Sequence, residues 1–260
     1  MVIANAKCTV SQNTFWYNEA TGFGGLLSNE PSGSALGILG LDETYSAHPL
    51  GSLIGGVDNQ AVDFDALVVN NLFARNETAL AHPTRSAVWL HADGQEDSIP
   101  GDSSVDVNVS FVNNTMASTP EHLIGVYNGV YAPAPACSLT LTIENSILWD
   151  GQTPTITPDV FIVSGLGTPT ITARASILEL SAGITIGGKN LSTNPLFLNP
   201  AVDDYRLTVA SPAVNSGVNA YWSSVLGLDG AIRNRDRSGG VRIVGSAIDR
   251  GCFERNPNSQ

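Results

Sequence analysis

Five short segments of the chain share one pattern, and this repeat limits the possible folds more than any other feature. Each segment begins with apolar residues, continuous or alternating with polar ones, takes a polar step, and closes on a bulky apolar residue. Such alternation predicts β-strands with one buried face. The polar steps lie 58, 43, 31 and 30 residues apart, at Asn13, Asn71, Asn114, Asn145 and Ala175. The segments are 8–15, 66–73, 109–116, 140–147 and 170–177.

The stretches between the segments are rich in turn residues and show no helical pattern, as in 31–34, 93–102 and 150–154. Short strands repeating without helices favour a solenoid, the parallel β-helix. A β-sandwich has similar strands but no reason to repeat one motif at a fixed place. In a solenoid, a repeated asparagine can bond the backbone at a corner and stack on the asparagine of the next rung. Turn asparagines in an asparagine-rich chain are the alternative.

The composition narrows the class of protein further. A hydrophobic fraction of 42% excludes disorder throughout, and a chain with two lysines is a poor candidate for long helical bundles. With 12 Lys and Arg against 24 Asp and Glu, the net charge of −12 opposes binding to nucleic acid or anionic membranes. No apolar run reaches the roughly 18 residues of a membrane span, so we expect no membrane insertion. The first residues lack a signal-peptide pattern, and we expect a mature protein or a fragment.

The C-terminal part of the chain carries the most specific motifs. They read NPLFLNP at 194–200, DYRL at 204–207, SPAVNSG at 211–217 and IDRGCFE at 248–254. This order resembles the C-terminal end of secreted right-handed parallel β-helix proteins of the choice-of-anchor type. The segment NSILW at 145–149 resembles a rung of the same proteins, including polymorphic outer-membrane-protein-like passengers. The chain departs from the family in having Cys and Phe near its end where Ala and Tyr are usual.

The resemblance implies an all-β fold, a right-handed parallel β-helix with a C-terminal cap, in an extracellular or cell-surface setting. It implies no single activity. We therefore expect residues 1–190 to form β-helix rungs with long loop insertions, and residues 191–260 to form the capping region. Residues 19–63 fit the repeat poorly. A cap must cover the open apolar end of a solenoid. The side chains expected to supply that cover are Leu196, Phe197, Leu198, Tyr205, Leu207, Val209 and Val214.

Charge is unevenly distributed along the chain. Residues 230–260 hold six arginines and three acidic residues, for a net charge of +3, whereas the rest of the chain carries −15. A basic end on an acidic body favours head-to-tail docking between copies. Salt bridges within the cap are the alternative use of the same arginines. The predicted interface residues are Arg233, Arg235, Arg237 and Arg242.

The acidic loop at residues 93–106 is a candidate calcium site. We expect no cofactor other than calcium. The carboxylates of the loop are hard oxygen ligands, but they match no EF-hand spacing, and a solvated acidic loop is the alternative. The four histidines show no metal spacing. The calcium candidates are Asp93, Asp97 and Asp102. The cysteines, expected to be isolated thiols although one pair could bridge, are Cys8, Cys137 and Cys252.

Catalytic chemistry has scattered candidates but no convergent set. A glycosidase needs two carboxylates and a lyase needs a base beside acidic residues. Glu144 and Arg174 occupy equivalent places in neighbouring segments, so we expect a structural ion pair between rungs. The other candidates on rungs are Asp63, Asp65 and Asp106. Aromatic residues that could stack on sugar rings are Trp16, Tyr17, Trp89, Trp149, Tyr221 and Trp222.

These features favour an extracellular or cell-surface structural or adhesive β-helix protein that is non-catalytic and self-associates end to end. Two alternatives stay open. One is a polysaccharide lyase or glycoside hydrolase acting in a groove along the helix. The other is a non-catalytic glycan-binding module, so a polysaccharide is a second expected class of partner beside another copy of the chain.

Overall fold

The structure is a computed structural model in which the described residues are almost all strands and turns. Their helices are a 3-10 turn, Pro200–Val202, and one short α-helix, α1 (Asn219–Ser223). The fold is therefore all-β, as the strand-like segments predict. The described ranges are 1–4, 6–20, 33–41, 61–78, 86–93, 104–119, 122–129, 137–151, 158–162, 167–225 and 234–256.

Three parallel sheets form the body of the protein, and in each sheet the spatial order of the strands follows the chain. Sheet A contains β1 (Val2–Ala4), β5 (Gly33–Leu41), β9 (Ser86–Asp93), β12 (His122–Gly129) and β15 (Val160–Ile162). Sheet B contains β2 (Cys8–Ser11), β6 (Val62–Val69), β10 (Val105–Val112), β13 (Cys137–Glu144), β16 (Thr170–Arg174) and β18 (Thr185–Ile186). Sheet C contains β3 (Thr14–Trp16), β7 (Leu72–Ala74), β11 (Thr115–Ala117), β14 (Ile147–Trp149) and β17 (Ile177–Leu178).

The chain visits sheets A, B and C in the same order five times. We call each visit a round, so that the first round is β1–β3, the second β5–β7 and the fifth β15–β17. A short extra pair, β4 (Glu19–Ala20) with β8 (Glu77–Thr78), joins the first two rounds. This stacking of parallel sheets is consistent with a β-solenoid-like class. Residues 33–41, which the repeat could not place, form β5 between β1 and β9.

The core lies between the three sheets and is built by alternation. In β13 the residues Cys137, Leu139, Leu141 and Ile143 are buried, while the residues between them face outward. Aromatic rings stack from round to round, with 4.7 Å between the centroids of Phe15 and Phe73 and 5.9 Å from Phe73 to that of Phe111. Each fully buried large apolar side chain contributes roughly 1.5–3 kcal/mol. The core therefore accounts for much of the stability.

A ladder of polar side chains runs along the corner between sheets B and C. The amide of Asn13 donates to Oδ1 of Asn71, and the amide of Asn71 to Oδ1 of Asn114, both at 2.9 Å. Ser146 and Ser176 continue the ladder through their hydroxyl groups at 3.1 Å. The residue before each ladder position has a left-handed φ: 56° at Gln12, 57° at Asn70, 51° at Asn113, 49° at Asn145 and 47° at Ala175.

In the last two rounds, the ladder residue lies one position after the polar step that the sequence pattern predicts. The sequence pattern aligned Asn145 and Ala175 with Asn114, but those two residues occupy the left-handed corner position. The ladder positions are Ser146 and Ser176. The ladder position requires a small side chain with an oxygen acceptor, and both asparagine and serine meet this requirement.

Replacing Asn114 with alanine should destabilise the protein by about 1–3 kcal/mol. The Asn114 side chain is fully buried, donates to the carbonyls of Val68 and Val112, and accepts from Asn71, so its removal leaves buried groups unpaired. Asn114→Ser is the matched control, because serine fills the same position in later rounds, and it should lose about half as much. Urea unfolding checks both. Equal stabilities of the alanine and wild-type proteins would contradict the role of the ladder.

The C-terminal residues 195–225 and 234–256, which we call the strap, lie along the side of the rounds. Strands β19 (Phe197–Asn199) and β20 (Asp204–Leu207) pair antiparallel within it. Tyr205 and Cys252 pack on the small side chains of Ala74 and Ala117 on the outer face of sheet C. The strap bonds to every round, from the fifth to the first: Arg250 Nη1 to Ser176 O (3.0 Å), Gly251 N to Asn145 O (2.7 Å), Cys252 N to Thr115 Oγ1 (3.0 Å), Asn70 Nδ2 to Arg235 O (2.8 Å), and Arg237 to Thr14 Oγ1.

This lateral position differs from the expected cover over an open end. Phe197, Tyr205, Leu207 and Val214 pack against sheet C or its neighbours, whereas Leu196, Leu198 and Val209 are exposed. At the end of the fifth round, Ile184 from the following turn enters the core instead. The physical reason is that sheet C offers an apolar outer surface, which the strap covers.

Candidate functional site

The first round forms an open edge of the described structure. Strands β1, β2 and β3 each stand last in their sheets and pair on one side, with β5, β6 and β7. No strand of the described ranges lies on their other side. An unpaired strand edge presents backbone donors and acceptors, and it is a template for another strand.

The ladder gives this edge a direction. Each ladder amide donates toward the following round, from Asn13 to Asn71 at one end and from Ser176 to Oδ1 of Asn190 (2.8 Å) at the other. By the same pattern, the Asn13 side-chain oxygen is placed to accept an amide from a strand beyond the first round. A second corner repeats the arrangement, since Asn18 donates to Oδ1 of Asn76 through its amide (3.2 Å) and its side chain (2.8 Å).

Only part of the predicted arginine interface lies beside this edge. Arg237 bonds Thr14 of the first round, and the carbonyl of Arg235 accepts from Asn70 of the second. Arg235 itself is exposed and donates to the carbonyl of Gly239 at 2.6 Å. Arg233 lies outside the described residues.

Arg242 is placed inside the strap rather than on its surface. Its side chain is 1% exposed, and Nη2 donates to the carbonyls of Asp249 (3.0 Å) and Gly251 (2.6 Å). Its Nη1 lies 3.6 Å from Oε2 of Glu254, which is equally buried. Burial lowers the pKa of Arg242, although the nearby acidic groups oppose this shift. Arg242 therefore serves the strap's interior, which is the alternative use expected for these arginines.

The calcium candidates lie mostly outside the part of the chain that the structure describes. Asp93 is the last residue of β9, while Asp97 and Asp102 lie outside the described residues. Within the described ranges, no group of three or more His, Cys, Asp and Glu residues could hold a metal ion. Calcium binding by this loop stays a prediction.

The rung candidates for catalysis lie on the outer face of sheet B. Asp63 and Asp106 are register partners, and Ser138 donates to Asp106 at 2.5 Å. Glu144 and Arg174 are also register partners, with 3.7 Å between Oε1 and Nη1, which confirms the predicted ion pair between rounds. Burial raises the pKa of Glu144, and the charge of Arg174 opposes this shift. The neighbouring outward positions are mainly Ser and Thr, so this face is rich in hydroxyl groups.

A carboxylate cluster that the sequence did not reveal lies where the fourth and fifth rounds meet. Asp159 is 2% exposed; its Oδ2 accepts from the amide of Leu180 (3.2 Å), while its Oδ1 has no hydrogen-bond partner among the described residues. The pKa of Asp159 is raised to about 8, chiefly by burial; the charges of Glu179 and Asp150 add to the rise, and hydrogen bonds from the backbone oppose it. Asp150, Asp159 and Glu179 come from three separate turns, so no sequence motif marks them.

The aromatic candidates separate clearly by exposure. Trp89 and Trp222 are buried, and Trp149 is half-buried. Trp16 and Tyr17 of the first round are 50% and 58% exposed, with ring centroids 5.3 Å apart. The three cysteines are free thiols, as expected, and burial raises the pKa of Cys252 to about 12.

Comparison with known proteins adds no assignment to this geometry. The chain matches no family model, no curated protein and no solved structure. Among the described helices, none is long and apolar enough to cross a membrane. The features that bear on function are therefore the open edge of the first round and the side chains around it.

Proposed function

We propose that the chain is a right-handed parallel β-helix protein of the choice-of-anchor type that acts as a structural or adhesive element outside the cell or on its surface. In this proposal residues 1–190 supply the rungs, the strap belongs to the capping region 191–260, and copies associate end to end. The open edge of the first round, with its directional ladder, is the observation that carries it. The C-terminal motifs shared with that family support the setting.

The ladder fixes the polarity of the proposed contact. The end of one copy beyond the fifth round, at Asn190, would approach the first round of the next copy, where Asn13 would accept the incoming amide. Such a head-to-tail contact joins two different surfaces and does not close on itself. Association of this kind continues into filaments unless something stops it.

Backbone pairing alone makes this contact weak. At the open edge, strands β1, β2 and β3 offer only three, four and three residues for pairing with another copy. Each hydrogen bond contributes about 1 kcal/mol net, and association costs at least about 4 kcal/mol of lost freedom. We therefore expect assembly that depends on protein concentration, with side chains near the edge deciding its strength.

Removing the ladder oxygen at the edge should weaken this association. Asn13→Ala lacks the acceptor and should raise the dissociation constant roughly fivefold, the effect of one hydrogen bond of about 1 kcal/mol. Asn13→Ser is the control, because serine serves as a ladder residue at positions 146 and 176. Light scattering over a concentration series measures the mass, and electron microscopy the particle shape.

The result expected for the wild-type protein is a mass that rises above the 27.2 kDa of one chain as concentration increases. The serine variant should follow the wild type, and the alanine variant should need higher concentration. A wild-type mass of one chain at every concentration would overturn end-to-end association. If the alanine and serine variants have the same dissociation constant, the Asn13 side chain takes no part in the contact between copies.

A further inference from the structure

The first round carries an exposed aromatic pair on the outer face of sheet C. In the register of that sheet, the position of Trp16 is taken by Ala74 and Ala117 in the next two rounds, and those alanines are buried beneath the strap. Trp16 and Tyr17 remain half-exposed or more, with their rings tilted by 41°. The two adjacent rings form a contiguous exposed apolar patch, and such patches are where ligands and partners bind.

Arginine side chains flank the aromatic pair on both sides. The guanidinium of Arg75 lies 5.6 Å from the centroid of the Tyr17 ring and forms an ion pair with Asp203. The Arg75 side chain also donates to the carbonyl of Pro200 at 3.0 Å. On the other side, Arg237 donates to the hydroxyl of Thr14, which shares the outer face of β3 with Trp16.

We infer that Trp16 and Tyr17 form a binding platform for a neutral, flat-faced glycan chain. Aromatic rings stack on the apolar faces of sugar rings, while nearby guanidinium, carboxylate and hydroxyl groups hydrogen-bond the equatorial hydroxyls. At about 3.3 Å per residue, the strip from Thr14 to Tyr17 is about 10 Å long, on the order of two linked sugar rings. The site lies on the face of β3 rather than on its open edge, so this inference is independent of end-to-end association.

The charge of the surroundings favours a neutral glycan over other partners. Arg75 is already paired with Asp203, so these two described side chains offer hydrogen-bonding groups beside the Tyr17 ring with no net charge between them. The chain as a whole carries a net charge of −12, which disfavours acidic glycans and anionic membranes.

The test uses cellohexaose and chitohexaose as soluble probes, with microcrystalline cellulose and chitin as insoluble ones. The wild-type protein should bind at least one β-1,4-linked probe, detected by tryptophan fluorescence and by depletion from solution. Trp16→Ala and Tyr17→Asn should each weaken binding about threefold to tenfold, in keeping with the loss of one aromatic contact. Asparagine is chosen at position 17 because the backbone there has a left-handed φ of 50°, which asparagine tolerates.

Control variants show whether a loss of glycan binding comes from the aromatic platform itself or from a change in folding or self-association. Trp16→Phe should keep most of the affinity, and Ile186→Ala, which removes a residue with a similar exposure of 51% at the opposite end, should keep all of it. Unfolding midpoints and light-scattering masses should be the same in all variants. Three results would overturn the inference: no binding to any of the four probes at millimolar sugar, binding unchanged by both Trp16→Ala and Tyr17→Asn, or binding to phosphatidylcholine vesicles in place of glycans.

Discussion

Replacing Asp159 with asparagine should raise the free energy of unfolding at about pH 9 by about 2–4 kcal/mol, with little change near pH 4. The carboxyl group is buried, one of its oxygens has no hydrogen-bond partner within the described ranges, and the charges of Glu179 and Asp150 lie nearby. Asparagine has nearly the same shape and can keep the hydrogen bond from Leu180, but it carries no charge. The variant therefore removes the cost of ionising this position inside the protein.

The direction of the pH dependence follows from the pKa values. Burial raises the pKa of Asp159 from its ordinary value of 3.8 to about 8 in the folded state. Its favourable contribution is therefore complete below about pH 4 and is lost progressively as the pH rises to about 8, because the unfolded chain releases the proton first. The full shift would correspond to roughly 6 kcal/mol, and relaxation around the charge reduces such costs to a few kcal/mol.

Urea unfolding of the two proteins at several pH values between about 4 and 9 measures this difference. Glu254 contributes in the same direction, since burial raises its pKa to about 7, so Glu254→Gln in both backgrounds separates the two groups. Glu254 is present in both proteins and its contribution cancels in the difference between wild type and Asp159→Asn, which should keep growing until about pH 8. Identical pH profiles would mean that Asp159 ionises without cost.

The sequence predicted the strands of sheets B and C but not those of sheet A. The five repeated segments all end in sheet C, because its corner needs a polar residue and a following apolar one that a pattern can recognise. Strand β5 and its neighbours in sheet A lack such a corner signal, and β5 contains the run ALGIL, in which apolar residues do not alternate with polar ones. Ser146 and Ser176 were missed because hydrogen-bonding ability, not residue identity, is what the corner requires.

The predicted cover by the C-terminal region holds for Phe197, Tyr205, Leu207 and Val214, which pack along the side of the rounds; Leu196, Leu198 and Val209 are exposed. Hydrophobic patterning indicates that Tyr205 and Leu207 are buried, but it cannot say which surface covers them. The signal that could have located them is the small size of Ala74 and Ala117, which are equivalent positions in two rounds and leave room for the strap. The carboxylates of Asp150, Asp159 and Glu179 meet only because successive rounds stack, so their proximity depends on the register of the whole fold.

Replacing Glu254 with alanine should destabilise the strap by about 3–5 kcal/mol at about pH 8, where the carboxyl is charged. Glu254 is the nearest acidic partner of Arg242, and both side chains are 1% exposed. It also accepts from the amides of Val244 and Asp249, each at 2.9 Å. Alanine would leave the Arg242 guanidinium buried without this partner and two amides without acceptors, and removing one member of a buried pair typically costs this much.

The control is Glu254→Gln, which keeps an oxygen acceptor for the amides and nearly the same volume. Because burial raises the pKa of Glu254 to about 7, this carboxyl is largely neutral at about pH 6, and glutamine should cost only about 1 kcal/mol there. The fluorescence of Trp222, whose ring centroid lies 5.5 Å from the Arg242 guanidinium, reports on the strap, and a Trp222→Phe reference isolates its signal. If the alanine and glutamine variants unfold at the same urea concentration, Arg242 does not depend on Glu254, and its bonds to the carbonyls of Asp249 and Gly251 are sufficient to hold it.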